Sequence, residues 1–206
     1  MTQIALSTVG GVPFVVYYET RSGSPVLRGM TAGSTAFDAA ADLAPASLNS
    51  LSGLAGAAEA FVFTAKDTGS PGAGPCPYIA RSKKTQLAAA DYAAIHSGAT
   101  TCGQNVAQPA IAALGGDVYL VAWTEDLVTK GDAGTTSQHL VPTVRIAYSG
   151  GSWGTQSSAT SFNYQNDPLA TIPSCGAASD GVRVLVLFGT SGSLGNELFW
   201  RLTCPN

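Results

Sequence analysis

The segment Val118-Tyr119-Leu120-Val121-Ala122-Trp123-Thr124-Glu125 is apolar on both of its parities: Tyr119, Val121 and Trp123 fall on one, Val118, Leu120 and Ala122 on the other. Successive residues of a strand point to opposite faces, so a strand with one wet face alternates apolar with polar. This strand has no polar face, and its sheet therefore has to be covered on both sides. A short inner stretch, Gln108-Pro109-Ala110-Ile111-Ala112, precedes it across the turn Leu114-Gly115-Gly116-Asp117. After a polar excursion the chain returns as Val144-Arg145-Ile146-Ala147-Tyr148-Ser149 and turns at Gly150-Gly151-Ser152-Trp153. These parts read as one antiparallel unit of a short inner strand, a long apolar strand, a third strand of mixed faces and a turn toward a fourth.

The same order of parts recurs. Gln3 to Ser7, Val12 to Glu19 and Val26 to Met30 make a first copy, with turns at Gly10-Gly11 and Ser22-Gly23-Ser24-Pro25. Ser47 to Leu51, Ala60 to Thr64 and Tyr78 to Ser82 make a second, around a Gly/Pro-rich loop from Gly69 to Pro75. Asp167 to Thr171, Val182 to Phe188 and Glu197 to Leu202 make the last. Strand-only units repeating at roughly 40 to 50 residues are the pattern of propeller arrays. The expected fold is all-β: a β-propeller-like array of about four blades, each of three to four antiparallel strands, open or one part of a larger propeller. It forms a single domain over 1–206, with repeats near 2–46, 47–105, 106–163 and 164–206. Two alanine-rich segments, Gln86 to His96 and Phe37 to Ala46, fall where fourth strands are expected, and a short helix is the alternative for each. The last unit stops after its third strand, leaving an edge that calls for self-association, or for another protein chain to complete the sheet.

Charged residues make up only 11% of the chain against an ordinary share of about a quarter, so small neutral groups must cover the surface. That composition suits a secreted or surface-exposed β protein. The net charge of -3 offers no basic stripe for phosphates, which argues against nucleic acid. No apolar run reaches the roughly 18 residues of a membrane span. The first residues, Met1-Thr2-Gln3, lack a signal-peptide pattern, so the chain reads as a mature or trimmed piece, or as part of something longer.

Four cysteines, Cys76, Cys102, Cys175 and Cys204, allow three pairings. Cys76 with Cys102 and Cys175 with Cys204 are favoured, because each bridge closes a loop within a repeat or at a repeat junction; four buried thiols are the bland alternative. None has CxxC spacing, and His96 and His139 stand apart in sequence, so no metal site and no cofactor are expected.

The run Gln108 to Ala112, followed by Val118 to Glu125 and by Ile146-Ala147-Tyr148-Ser149-Gly150-Gly151-Ser152-Trp153, resembles a repeat of the sialidase-type (BNR, Asp-box) β-propellers. The family turn reads Ser-x-Asp-x-Gly-x-x-Trp. Here Ser149 and Trp153 remain, the Asp is missing, and the spacing is shorter. The resemblance implies four-stranded blades around an axis and, for a sialidase, converging arginines, a Tyr activated by a Glu, and an acidic Asp. Arg28, Arg81 and Arg201 recur on third strands, and Tyr17, Tyr18 and Glu19 adjoin, but neighbours on a strand point apart. No catalytic residues are therefore assigned.

Gly150-Gly151-Ser152-Trp153-Gly154 fits G-x-S-x-G without the helix a nucleophile elbow needs, and reads as a turn. Asp126 and Asp132 flank a loop without the carboxylate spacing of a calcium site. Aromatic rings combine flat apolar area with polar tips. Trp123 and Trp200 read as packing residues, whereas Tyr148 and Trp153 at the turn, with Arg145, are the candidate ligand-binding residues for a surface glycan. The expectation is a non-catalytic extracellular binding or structural module. A sialidase-like glycosidase fragment and a subunit of an extracellular filament are the alternatives.

Overall fold

The computed structural model describes residues 3–69, 74–96, 102, 104–131, 134–154, 157, 160–164, 171–180, 183–192 and 195–203, with side chains outside 127–139, 158–176 and 188–206. Among the described residues there is no helix; sixteen strands form four antiparallel sheets. The first sheet runs β1 (Ile4–Val9), β2 (Val12–Arg21), β3 (Ser24–Thr31) and β4 (Ala41–Asp42) in that order. The second repeats the order with β5 (Leu48–Ala57), β6 (Ala60–Asp67), β7 (Cys76–Arg81) and β8 (Tyr92–Ala94). The third holds β9 (Gln104–Gly115), β10 (Val118–Gly131), β11 (Gly134–Ser149) and β12 (Ser152–Trp153), with β13 (Thr160–Tyr164) on the upper part of β11. The fourth contains β14 (Thr171–Ser179), β15 (Val184–Gly192) and β16 (Gly195–Thr203).

The doubly apolar strands are covered on both faces. On β6, Phe61, Phe63 and Ala65 pack against Phe14, Val16 and Tyr18 of the first sheet, while Ala60 and Val62 pack against the third. On β10, Tyr119, Val121 and Trp123 face the second sheet, while Leu120 and Ala122 meet Val184 and Val186 of β15. The period of two thus sends alternate residues of one strand into two separate cores. The first strands of successive sheets also lie side by side, β1 against β5, β5 against β9 and β9 against β14. These strands are rich in small residues for a reason visible at Gly56: a Cβ there would run into the Leu6 carbonyl.

Several sequence expectations are corrected. Within Gln86 to His96 the strand is formed and the helical alternative is not: β8 pairs Tyr92, Ala93 and Ala94 with Ala80, Ile79 and Tyr78. Upstream, Leu87 is buried and its N–H donates to the Leu43 carbonyl, so it serves the core between sheets. A segment this short gains little as an isolated helix, whereas the open edge of β7 offers ready backbone partners. Phe37 to Ala46 likewise yields β4, fixed by the fully buried Leu43, whose N–H donates to Leu27 O. The polar excursion after Glu125 continues the β10–β11 ladder as far as Gly131 opposite Gly134. The inner strand of the fourth unit is described over Thr171–Ser179, and residues 167–170 of the expected stretch lie outside the described residues; Gly176, Ala177 and Ala178 carry too little hydrophobicity to be read as a strand.

Cys76 and Cys102 form a disulfide with Cα atoms 5.5 Å apart, joining the start of β7 to the segment ahead of the third sheet. The pairing of Cys175 with Cys204 lies outside the described residues. Among the described residues, no helix is long and apolar enough to cross a membrane.

Candidate functional site

The candidate residues meet where the hairpin turns of the second and third sheets come together. Arg81 ends β7 opposite Ala60, which places its guanidinium at the rim of the junction. Asp117 sits across from it in the β9–β10 turn at φ 60, and the two close a salt bridge with Nη1 to Oδ1 of 2.6 Å. The Arg81 guanidinium lies over the Tyr148 ring, 4.7 Å from its centroid. Tyr148 meets Trp153 edge to face at 5.1 Å, and Trp153 meets Tyr119 at 5.8 Å. The Trp153 indole N–H donates to the Asp91 carbonyl of the second sheet at 3.0 Å. Tyr119 is buried, and its Oη lies 3.5 Å from Arg81 Nη1 and 3.4 Å from Asp117 Oδ1. Burial pushes the Tyr119 phenol up to about 12.

Local sequence explains the aromatic pair. Gly150 and Gly151 take φ of 60° and 85°, the left-handed pair of a tight hairpin turn, and fold β12 back on β11 so that Trp153 stands opposite Tyr148. The G-x-S-x-G match is this turn. Arg145 is not part of the cluster. It shares β11 with Tyr148 at odd parity, opposite Leu120, whose side chain belongs to the core with the fourth sheet. Its backbone is anchored by Ser157, whose Oγ accepts from Arg145 N and whose N–H donates to Arg145 O. Tyr148 and Trp153 are thus brought together with Arg81, Asp117 and Tyr119, a set that sequence reading left scattered among a turn and three strands.

An equivalent latch joins the first two sheets. Glu59, in the β5–β6 turn, accepts from the backbone N–H groups of Gly10 and Gly11 and from Thr8 Oγ. Burial alone would raise the Glu59 carboxyl, but these donors outweigh it and leave it below its ordinary value. Asp91 is governed the same way. Burial opposes its charge, and Lys83 Nζ at 2.6 Å with the Ala88 N–H at 2.7 Å more than offsets that.

Among the described residues, the two arginines that a sialidase-like site would have to bring together lie on different sheets. Arg28 pairs with Glu19 at 2.7 Å and with Asp42 at 3.1 Å on the first sheet, while Arg81 is on the second. Tyr18 is buried toward the second sheet and its hydroxyl donates to Ser52 O and Gly53 O, each at 3.1 Å. Tyr17 and Glu19 lie on the opposite parity of β2. The side chains of Arg201 and Trp200 lie outside the described residues, as do Asp132 and the His139 side chain. Asp126 accepts from Asn105 Nδ2 at 2.7 Å. Trp123 reads as packing and is fully buried; its indole N–H donates to Glu125 Oε2 at 2.7 Å, a carboxylate only 3% exposed. A hydrophobic-run reading passes over that acid.

A second cluster involves the disulfide. His96, two residues beyond β8, places Nδ1 3.4 Å from Cys102 Sγ, and the ligand atoms of Cys76, His96 and Cys102 all lie within 4.8 Å of one another. Burial pushes the His96 imidazole below its ordinary value.

No protein-family model and no curated protein matches this chain. One similar solved structure is a glycosyl hydrolase from Bacteroides ovatus, 7% identical, covering 98% of this chain and 83% of that one at a TM-score of 0.31. A likeness of that strength carries no argument about activity.

Proposed function

We propose that this chain is a non-catalytic, propeller-like module that works outside the cell as a binding or structural unit. The carrying observation is that Arg28 and Arg81, the arginines a sialidase-like site would need to converge on one substrate, are committed to acids on separate sheets: Glu19 and Asp42 for one, Asp117 for the other. An arginine held by a carboxylate at hydrogen-bond distance has its charge already answered, and recruiting it for a ligand means breaking that pair. The side-by-side succession of first strands supports the propeller-like arrangement. The Cys76–Cys102 bridge is compatible with an oxidising compartment. In the binding reading, the half-buried Tyr148 and Trp153 offer ring edges to a surface glycan, with Arg81 already stacked on one ring. A panel of fluorogenic glycosides, run beside calorimetric titration of the corresponding free sugars, tests this. No turnover is expected, and hydrolysis that disappears in Arg28→Ala would overturn the reading in favour of a glycosidase.

One observation favours the structural branch. Ile4 and Leu6 are 62% and 66% exposed on the face of β1 that points away from the second sheet, while Ala5 and Ser7 between them are buried. On β15, Leu187 is 37% exposed, at the parity opposite to Val184 and Val186. Among the described residues, the outer face of the first sheet thus presents exposed apolar side chains beside its Arg28–Glu19–Asp42 ion pairs, and β15 exposes Leu187, which suits self-association.

A further inference from the structure

We propose that Cys76, Cys102 and His96 form, once their disulfide is reduced, a binding site for a soft tetrahedral divalent cation of the Zn2+ type, with one coordination position left open. The three ligand atoms already converge, all within 4.8 Å of one another. Two thiolates and an imidazole are the donor set that such an ion selects. The distances agree with that geometry. Metal–sulfur and metal–nitrogen bonds of about 2.3 and 2.0 Å put sulfur and nitrogen roughly 3.5 Å apart across a tetrahedral edge. Cys102 Sγ and His96 Nδ1 stand at 3.4 Å.

The backbone keeps two of the three ligands, Cys76 and His96, in place when the sulfur–sulfur bond is gone. Cys76 opens β7 and His96 follows β8, and the two strands are paired over Tyr78 to Ala80. Beyond the ladder, the Ile95 N–H donates to the Pro77 carbonyl at 2.8 Å, so the residues next to each ligand are tied directly together. The sulfurs have to separate, to roughly 3.8 Å for a tetrahedral edge. Side-chain rotation can supply much of that, because the Cα atoms are 5.5 Å apart. Three protein ligands leave the fourth position to water or an incoming donor, as in sites that act on a bound molecule rather than purely structural ones.

The switch balances chemically. A dithiol reductant delivers two electrons and two protons, becoming a disulfide itself and leaving Cys76 and Cys102 as thiols. Metal binding then displaces both thiol protons, so uptake releases protons and weakens as pH falls.

The test uses the full chain reduced with a phosphine, which takes oxygen from water to become the phosphine oxide, and then titrated with Co2+ as a spectroscopic substitute for Zn2+. The reduced protein should show thiolate-to-metal charge transfer at one equivalent, and the oxidised protein none. Cys102→Ser should abolish the band, and His96→Ala should weaken Co2+ binding by about tenfold or more while the band persists. If reduction unfolds the chain, addition of Zn2+ should restore the β-sheet circular dichroism. A reduced chain with no such band, a band unchanged in Cys102→Ser, an unaltered affinity in His96→Ala, or an unfolded reduced chain that Zn2+ fails to restore would overturn the assignment.

Discussion

Trp153 shows how one side chain can fasten two sheets. Its indole edge meets Tyr148 and Tyr119, and its N–H reaches across the junction to the Asp91 carbonyl. Removing the ring leaves a gap at the end of the core between the sheets and one hydrogen bond fewer on the Asp91 carbonyl, which keeps the Arg81 N–H. Trp153→Ala is therefore expected to lower the unfolding free energy by about 2 to 3 kcal/mol, below the cost for a fully buried Trp because this one is half-exposed. Urea denaturation measures it, and the midpoint should fall with little change in slope. Trp153→Phe should recover most of the packing and lose only the hydrogen bond. A Trp153→Ala protein as stable as the parent would show that the ring stands ready for a ligand and does not brace the sheets. The sequence announced the ring and its turn, since Gly150 and Gly151 dictate a hairpin there. It was silent on Arg81 and Asp117, which lie 36 residues apart and meet only because two sheets stack.

At the scale of the element, each hairpin turn grips the sheet before it. Glu59 gathers the Gly10 and Gly11 N–H groups and the Thr8 hydroxyl, and the consequence is a dependence on pH. Its folded pKa is depressed relative to the unfolded chain, so the stabilisation is complete above the unfolded value and is lost as pH falls through the folded one. Between about pH 5 and pH 3 the parent should lose stability more steeply than Glu59→Gln, as seen by following the urea midpoint with pH. Parallel slopes would remove Glu59 from the account. The disulfide also belongs to this scale, since it ties β7 to the segment entering the third sheet. With a sequence separation of 26, replacing both Cys76 and Cys102 by Ser is expected to cost about 3 to 4 kcal/mol in the chain-entropy picture, measured under non-reducing conditions. This pairing was legible as a short loop closure. The arrival of His96 beside it was not, because β8 occupies a segment whose alanines read as strand or helix.

At the scale of the molecule, the described residues form three cores in succession through four sheets, and each inner sheet contributes one face to each of two cores. Among the described residues, Ile4 and Leu6 at one end and Leu187 at the other are exposed apolar side chains. Leu6→Glu is expected to shift sedimentation toward a smaller species, or to remove a concentration-dependent rise in apparent mass, while leaving the fold intact because Leu6 is exposed. A parent chain that sediments as a monomer over a wide concentration range would dismiss the self-association reading.

The sequence by itself determined that the chain is dominated by strands in about four units, and that its central strands need cover on both faces. Those properties follow from alternation along a strand, which is local and needs no knowledge of what lies opposite. It also located the turns, because paired glycines favour one hairpin geometry. Only the tertiary structure decided which residues share a site. Arg81 with Asp117, Glu59 with the Gly10-Gly11 turn, and His96 with Cys76 and Cys102 are contacts between strands or sheets distant in sequence, set by stacking and register. The fourth strands and the inner strand of the last sheet were likewise settled there, since alanine-rich segments have weak preferences of their own and take whatever backbone edge the neighbouring strands leave open.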